Sequence, residues 1–291
     1  MNVAPKARSQ WAYARIRFFR HRMAVLSLVV LFAISLVAIF AKRVAPYGYD
    51  ELDLFNITSP PTTKDKHLFG TDLLGRDYLS RVIFGLRTSL WVAFFVAFLS
   101  TAIGTTVGAI AGYYGGAIDN LLMRFTDLMM AFPSLLLAIA LAAIFTPSLW
   151  IVAMVIAMVN WVQIARVIYT QTVSLTQREF IEAVRSLGAS KARILFVHVV
   201  PHLVPTIVVW GTLGIATTVL LEATLSFLGI GVQPPTPSWG NIIFENQSYF
   251  STAPWLVFLP GAAIVLMAVA FNILGDALRE ALDPTLSSRR A

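Results

Sequence analysis

A chain of 291 residues with 57% hydrophobic and only 13% charged positions lacks the polar surface of a soluble domain, where about a quarter of residues are charged. Its net charge of +7 comes from basic residues placed just outside apolar runs, a pattern of membrane orientation that excludes nucleic acid as a partner. Cysteine is absent, which excludes disulfides, thiolate metal sites and a cysteine nucleophile.

A bilayer core of about 30 Å takes roughly 20 apolar residues in a helix, and six runs meet that need. Residues 1–22 form a tail with Lys6, Arg8, Arg15, Arg17, Arg20 and Arg22 and no acid. The first span, 23–41, is longer than the apolar stretch of a signal peptide (about 7–15 residues) and reads as a retained anchor. Residues 42–89 follow. They begin with turn formers and end with Tyr78, Leu79, Val82, Ile83 and Leu86 at helical spacing. That end reads either as an amphipathic helix in the headgroup plane or as one packed on the protein.

The second to fifth spans are 90–111, 128–145 with Pro133 inside it, 149–165, and 203–221 with a continuation past Glu222 to 228. The sixth is 254–275. Residues 90–275 are thus a core with two long connections, 166–201 and 230–253, and residues 276–291 form a tail. Six spans place both termini on one side. The basic first tail makes that side cytoplasmic, which leaves 15 Lys and Arg inside and 7 outside. The fold class is an all-α integral membrane protein embedded in a lipid bilayer.

The connection 166–201 is the informative one. Thr176 and Glu179 have capping-box spacing, Phe180, Ala183, Val184 and Leu187 form one apolar stripe over a helix 177–187, and Gly188 is placed to end it. Ser190 caps a second helix that runs to Pro201. The first helix has an apolar face that lipid headgroups or another chain must cover.

Glu182-Ala183-Val184, with Gly188 six residues after Glu182 and Pro201 beyond, resembles the cytoplasmic signature of importer permeases of the ATP-binding cassette superfamily. Val184, His198 and Val200 depart from its usual residues. Phe69-Gly70-Thr71-Asp72, Gly75-Arg76-Asp77, Ser80-Arg81 and Arg87-Thr88-Ser89-Leu90 are similar to the dipeptide, oligopeptide and nickel permeases. Leu225 to Gly229, Gln233-Pro234-Pro235, Trp239-Gly240, Gly275 to Arg279 and Leu282-Asp283-Pro284 are similar to their second, C-type subunit.

The resemblance implies a type I importer transmembrane domain, a related second permease as heterodimer partner, two cytoplasmic ATPase subunits that bind ATP, and an extracytoplasmic binding protein. It implies a coupling segment made of Phe180, Glu182, Ala183, Val184, Leu187, Gly188 and Pro201. The substrate would be a di- or oligopeptide, with nickel or glutathione as the alternative. The chain has no GxxxxGK[ST] loop of its own, so no cofactor and no catalytic residue is expected in it.

Asn160 and Gln163, three apart in the fourth span, could line a translocation path or bond a neighbouring helix. Glu222, about 28 Å along its helix from Leu203, is either an outer gate or docking contact or a solvated helix end. His198 and His202 have zinc-ligand spacing, but Pro201 interrupts the turn between them and no metal is expected. A membrane-embedded hydrolase, the competing class, needs a nucleophile with a base or a metal within the spans, and no histidine lies deep in one.

Overall fold

A computed structural model describes residues 10–63 and 67–282. Among them the chain is helical, with only two isolated bridges, Leu52 to Arg76 and Thr71 to Asp77. In order the helices are α1 (Gln10–Arg20), α2 (Arg22–Ile39), α3 (Ala41–Val44), α4 (Tyr78–Tyr114), α5 (Gly116–Met130) and α6 (Ser134–Ile144). There follow α7 (Leu149–Thr176), α8 (Glu179–Ser186), α9 (Lys191–Arg193), a π-helical stretch Ile194–Val199, α10 (Val200–Phe227), α11 (Trp239–Asn246) and α12 (Trp255–Leu282).

Five helices are long and apolar enough to cross a membrane, and the pair α5 and α6 makes a sixth candidate as a bent span. Apolar side chains face outward along them. Val29, Phe32 and Ile39 of α2 and Trp91 and Phe98 of α4 are all exposed, a surface that lipid covers and water would not tolerate.

The helices outrun the apolar segments read from sequence. The stretch before the second span is not a separate helix in the headgroup plane. It is the first three turns of α4, because no proline separates Tyr78 from Leu90 and Asp77 caps the start, its Oδ2 accepting from the Ser80 amide at 2.8 Å. These turns pack inward, burying Tyr78, Arg81, Ile83 and Leu86. Likewise α7 continues past Ala165 to Thr176, and α12 past Gly275 to Leu282.

The third span, expected as one helix over 128–145, is broken. α5 stops at Met130, α6 starts at Ser134, and their axes turn by 90°. Pro133 lacks the amide a helix needs and drives Phe132 out of the helical region, and its own ψ of 126° is extended.

Among the described residues four apolar clusters bind the bundle, the smallest of them Trp161, Val162 and Ala165 of α7 against α4. One joins α2, α4, α10, α11 and α12 around Leu90, Val219, Trp239, Leu256 and Met267. A second joins α4, α6 and α7 around Val96, Ala142, Val152 and Ile156. A third, at the α8 end, gathers Ile164, Ile168, Ile181, Ile194, Leu195 and Leu203.

α4 and α7 are packed backbone against backbone. Gly104, Gly108 and Gly112 of α4 lie directly on the α7 backbone, so that a Cβ on Gly108 would stand 2.4 Å from the Ala165 carbonyl oxygen. The small-residue ridge brings the two backbones together as membrane helices require.

Candidate functional site

At one end of the bundle, α8 leaves α7 after a short turn. The capping box read at Thr176 and Glu179 does not form. Thr176 is the last residue of α7 and donates its hydroxyl to the Val173 carbonyl at 2.8 Å, while Arg178 stands at the N-cap with no side-chain bond. The helix is therefore shorter than 177–187.

Its buried anchor is Ile181, which the sequence stripe left out. Phe180 and Val184 are half-buried against the same cluster, and the Phe180 ring lies 5.1 Å from that of His202. Ala183 and Glu182 face outward. Leu187 is 86% exposed. The stripe thus splits, with one part held by the chain's own core and Leu187 projecting free of it.

Gly188 ends the helix as its spacing predicts. Its φ is +81°, its amide reaches the Arg185 carbonyl at 3.0 Å and the Ala189 amide reaches Val184 at 3.4 Å, the paired bonds of a Schellman turn. Ser190 then accepts from the Arg193 amide at 3.3 Å and starts the next helix. That helix does not stop at Pro201. It runs from Lys191 to Phe227, with the wider π turns placed immediately before Pro201, whose missing amide sits in the first turn of α10. Across the same turn His202 Nδ1 donates to the His198 carbonyl at 2.6 Å.

In the middle of the bundle, Asn160 donates to Thr218 Oγ1 of α10 at 3.3 Å, whereas Gln163 is exposed. The two do not share a partner.

Glu222 is not a solvated helix end. It is fully buried because α10 continues beyond it and α4 closes over it. Ser89 of α4 donates to its Oε2 at 2.7 Å and Ser226 to its Oε1 at 2.8 Å. The Ser226 hydroxyl in turn accepts from the Val232 amide at 3.1 Å, so the carboxyl ties α4, α10 and the following loop together.

The α11 end holds a charge network that sequence reasoning missed. Arg81, fully buried, donates from Nη1 to Asp72 at 2.6 Å and Glu245 at 2.7 Å. Arg76 donates from Nε to Asp72 at 2.7 Å and from Nη2 to Glu245 at 2.8 Å. Burial pushes Asp72 upward, but the charges of Arg81 and Arg76 and the amides of Arg76 and Leu74 outweigh it and hold the carboxyl below its ordinary value.

Two further bonds tie the start of α4 to the same end. Trp239 donates to the Val82 carbonyl at 3.1 Å, and the Tyr78 hydroxyl donates to that of Leu256. The available signal was that Glu245 is the one charge between residues 230 and 253; a lone acid in an apolar loop seeks a distant arginine.

Arg81→Leu leaves Asp72 and Glu245 sharing Arg76 alone, and breaking a buried pair costs about 3–5 kcal/mol. The thermal unfolding midpoint of the purified protein is expected to fall sharply. Arg87→Leu, at a half-buried site, serves as control and shifts it little.

The pairing of a short helix and glycine turn with a bundle of this topology has counterparts. Residues 104–288 match the model of the binding-protein-dependent transport system inner membrane component, and residues 9–61 match the N-terminal TM domain of oligopeptide transport permease C. The dipeptide transport system permease protein DppC of Alkalihalophilus pseudofirmus is 41% identical over 96% of this chain and 91% of its own length. The oligopeptide transport system permease protein OppC of Escherichia coli is 40% identical over 96% and 92%. The glutathione transport system permease protein GsiD of Escherichia coli is 42% identical over 97% and 92%.

Among solved structures, the inward-facing MetNI methionine ABC transporter shares the fold, with a TM-score of 0.59, 18% identity, and coverage of 70% of this chain and 97% of that one. The chain therefore belongs to the family of binding-protein-dependent transport system inner membrane components, the membrane permease subunits of ATP-binding cassette importers, which are not themselves enzymes.

Proposed function

We propose that this chain is one of two related permease subunits of an ATP-driven importer of di- and oligopeptides. Two cytoplasmic ATPases bind ATP and drive it, and an extracytoplasmic binding protein delivers the substrate. The observation that carries the reading is α8, a short helix fixed at the end of α7 by Ile181 and a Schellman turn, with Leu187 left uncovered.

In this reading α8 is the coupling helix and lies on the cytoplasmic side, as the basic residues of 1–22 and 166–201 require. Glu182, Ala183 and Leu187 meet the ATPase. Phe180 and Val184 hold the helix to its own domain, and Gly188 and Pro201 set its angle to α10. Residues 42–77 and α11 face outward. Asn160 and Gln163 border the path between the two permeases, and Glu222 holds the outer ends of α4 and α10 together where that path opens.

Peptide is favoured as substrate by the names of the dipeptide and oligopeptide relatives. The glutathione relative supports a second reading with the same architecture. Proteoliposomes containing both permeases and both ATPases, supplied with ATP and binding protein, are expected to accumulate a labelled di- or oligopeptide. Accumulation without ATPases, or of glutathione and no other peptide, would overturn the assignment.

A further inference from the structure

The segment between α3 and α4 carries a buried histidine that lies outside the proposed coupling segment. His67 lies between two carboxylates, with Nδ1 2.9 Å from Asp77 Oδ1 and Nε2 3.4 Å from Asp53 Oδ2. Its ring stacks on Tyr47 at 4.9 Å.

Each neighbour is itself a fixed point. Asp77 caps α4 through its other oxygen. Asp53 shapes the turn that follows it, accepting from the Phe55 amide at 3.0 Å and the Asn56 side chain at 2.9 Å. The Tyr47 amide donates to Ser80 Oγ at 3.0 Å. The imidazole therefore bridges the start of a spanning helix and a turn that holds Phe55 99% exposed, beside the backbone bonds from Asp53 to Gly75 and from Thr58 to Asp72 that anchor the ends of that turn.

We propose that His67 is a proton-dependent clip that fastens the 53–57 turn to the first turn of α4 and loosens as the pH of its surroundings rises. The chemistry follows from donor count. An imidazolium donates two N–H groups and satisfies both carboxylates; a neutral ring keeps one N–H and leaves the other carboxylate facing a lone pair.

The charged and titratable groups that face the ring are Asp77 from α4, Asp53 from the turn, and Tyr47 with Glu51 nearby from the preceding loop; Lys64, Asp65 and Lys66 lie outside the described residues. Desolvation alone would lower the histidine, but Asp77 and Asp53 outweigh it and hold its pKa above the ordinary 6.5. A histidine raised in the folded state contributes fully below its unfolded value and loses that contribution as pH climbs through the raised one. The clip is thus closed in mild acid and opens toward alkaline pH. It rests on side-chain geometry and holds whichever side of the membrane this end faces.

Because the chain has no cysteine, Phe55→Cys supplies a unique labelling point on a residue that is 99% exposed. A nitroxide there, read by electron paramagnetic resonance in nanodiscs from pH 5 to 9, is expected to show a restricted line at low pH. A mobile line should grow in with a midpoint above 6.5. His67→Gln should abolish the step. Asp53→Asn, which removes only the more exposed carboxylate, should keep the fold and move the midpoint down. A line shape independent of pH in the wild-type background, or a step that persists in His67→Gln, would overturn the proposal. Neither result bears on whether the chain imports peptides.

Discussion

Leu187→Asp is expected to leave the permease folded and in the membrane but to reduce ATP-driven peptide uptake by about 30-fold or more. The side chain is 86% exposed on a helix whose own core contact is made by Ile181, so the substitution removes nothing from the fold. An apolar side chain at the centre of a desolvated contact is worth about 2 kcal/mol or more, which corresponds to roughly 30-fold in an equilibrium constant, and a carboxylate placed there adds its desolvation.

Glu182→Lys, also on the outward face, should lower uptake in the same direction. Gly188→Val acts by another route. A β-branched residue at φ +81° is strained, so the Schellman turn opens and the exposed face is presented at a wrong angle. The measurement is uptake in proteoliposomes together with binding of the detergent-solubilised permease to its ATPases. Retention of normal uptake by Leu187→Asp would remove α8 from the coupling path.

That the fold was legible in the sequence follows from how few rules a membrane helix obeys. Uninterrupted apolar runs gave α2, α7, α10 and α12 their places. What the runs could not give was where a helix stops. Hydropathy falls at Arg166 and rises only at Leu90, yet the backbone hydrogen bonds of α7 and α4 continue through both boundaries, since nothing in either stretch breaks a helix.

The opposite error arose at Pro133, where composition is apolar throughout and a span was read across a 90° corner. The pattern at α8 was ambiguous for a different reason. Phe180 and Ile181 are adjacent, Val184 belongs to a stripe from either, and only the position of α7 and the π turns decides which stripe is buried. Thr176 was misassigned because a capping box is a local pattern and the preceding helix claimed the residue first. The Arg81 network and the His67 clip join residues far apart in sequence or embedded in an irregular segment, where no periodicity exists to reveal them.

The second large effect concerns Gly108. Adding even a methyl group there is expected to destabilise the chain by several kcal/mol, and Gly108→Leu should prevent accumulation of folded protein. The new Cβ would lie 2.4 Å from the Ala165 carbonyl oxygen and 2.9 Å from the Tyr169 amide nitrogen. Both are backbone atoms of a helix and cannot swing aside as a side-chain tip could, so α4 and α7 must separate.

A gap of 0.5–1 Å already forfeits about a quarter to a half of each dispersion contact along the seam. In lipid there is no hydrophobic term between helices to compensate. Gly214→Ala is the control, since a Cβ at that position on α10 meets nothing within 4 Å, and its unfolding midpoint in detergent should match that of the parent. Equal midpoints for Gly108→Ala and Gly214→Ala would mean that the seam is not close-packed.

If α8 is the coupling helix, as proposed, the seam also carries its motion, because α7 ends in α8 while α4 begins in the Asp72, Arg76, Arg81 and Glu245 network at the opposite end. Two helices in backbone contact move as one body. A spacer at Gly108 that is mild enough to fold should therefore weaken the response of one end of the bundle to a push at the other.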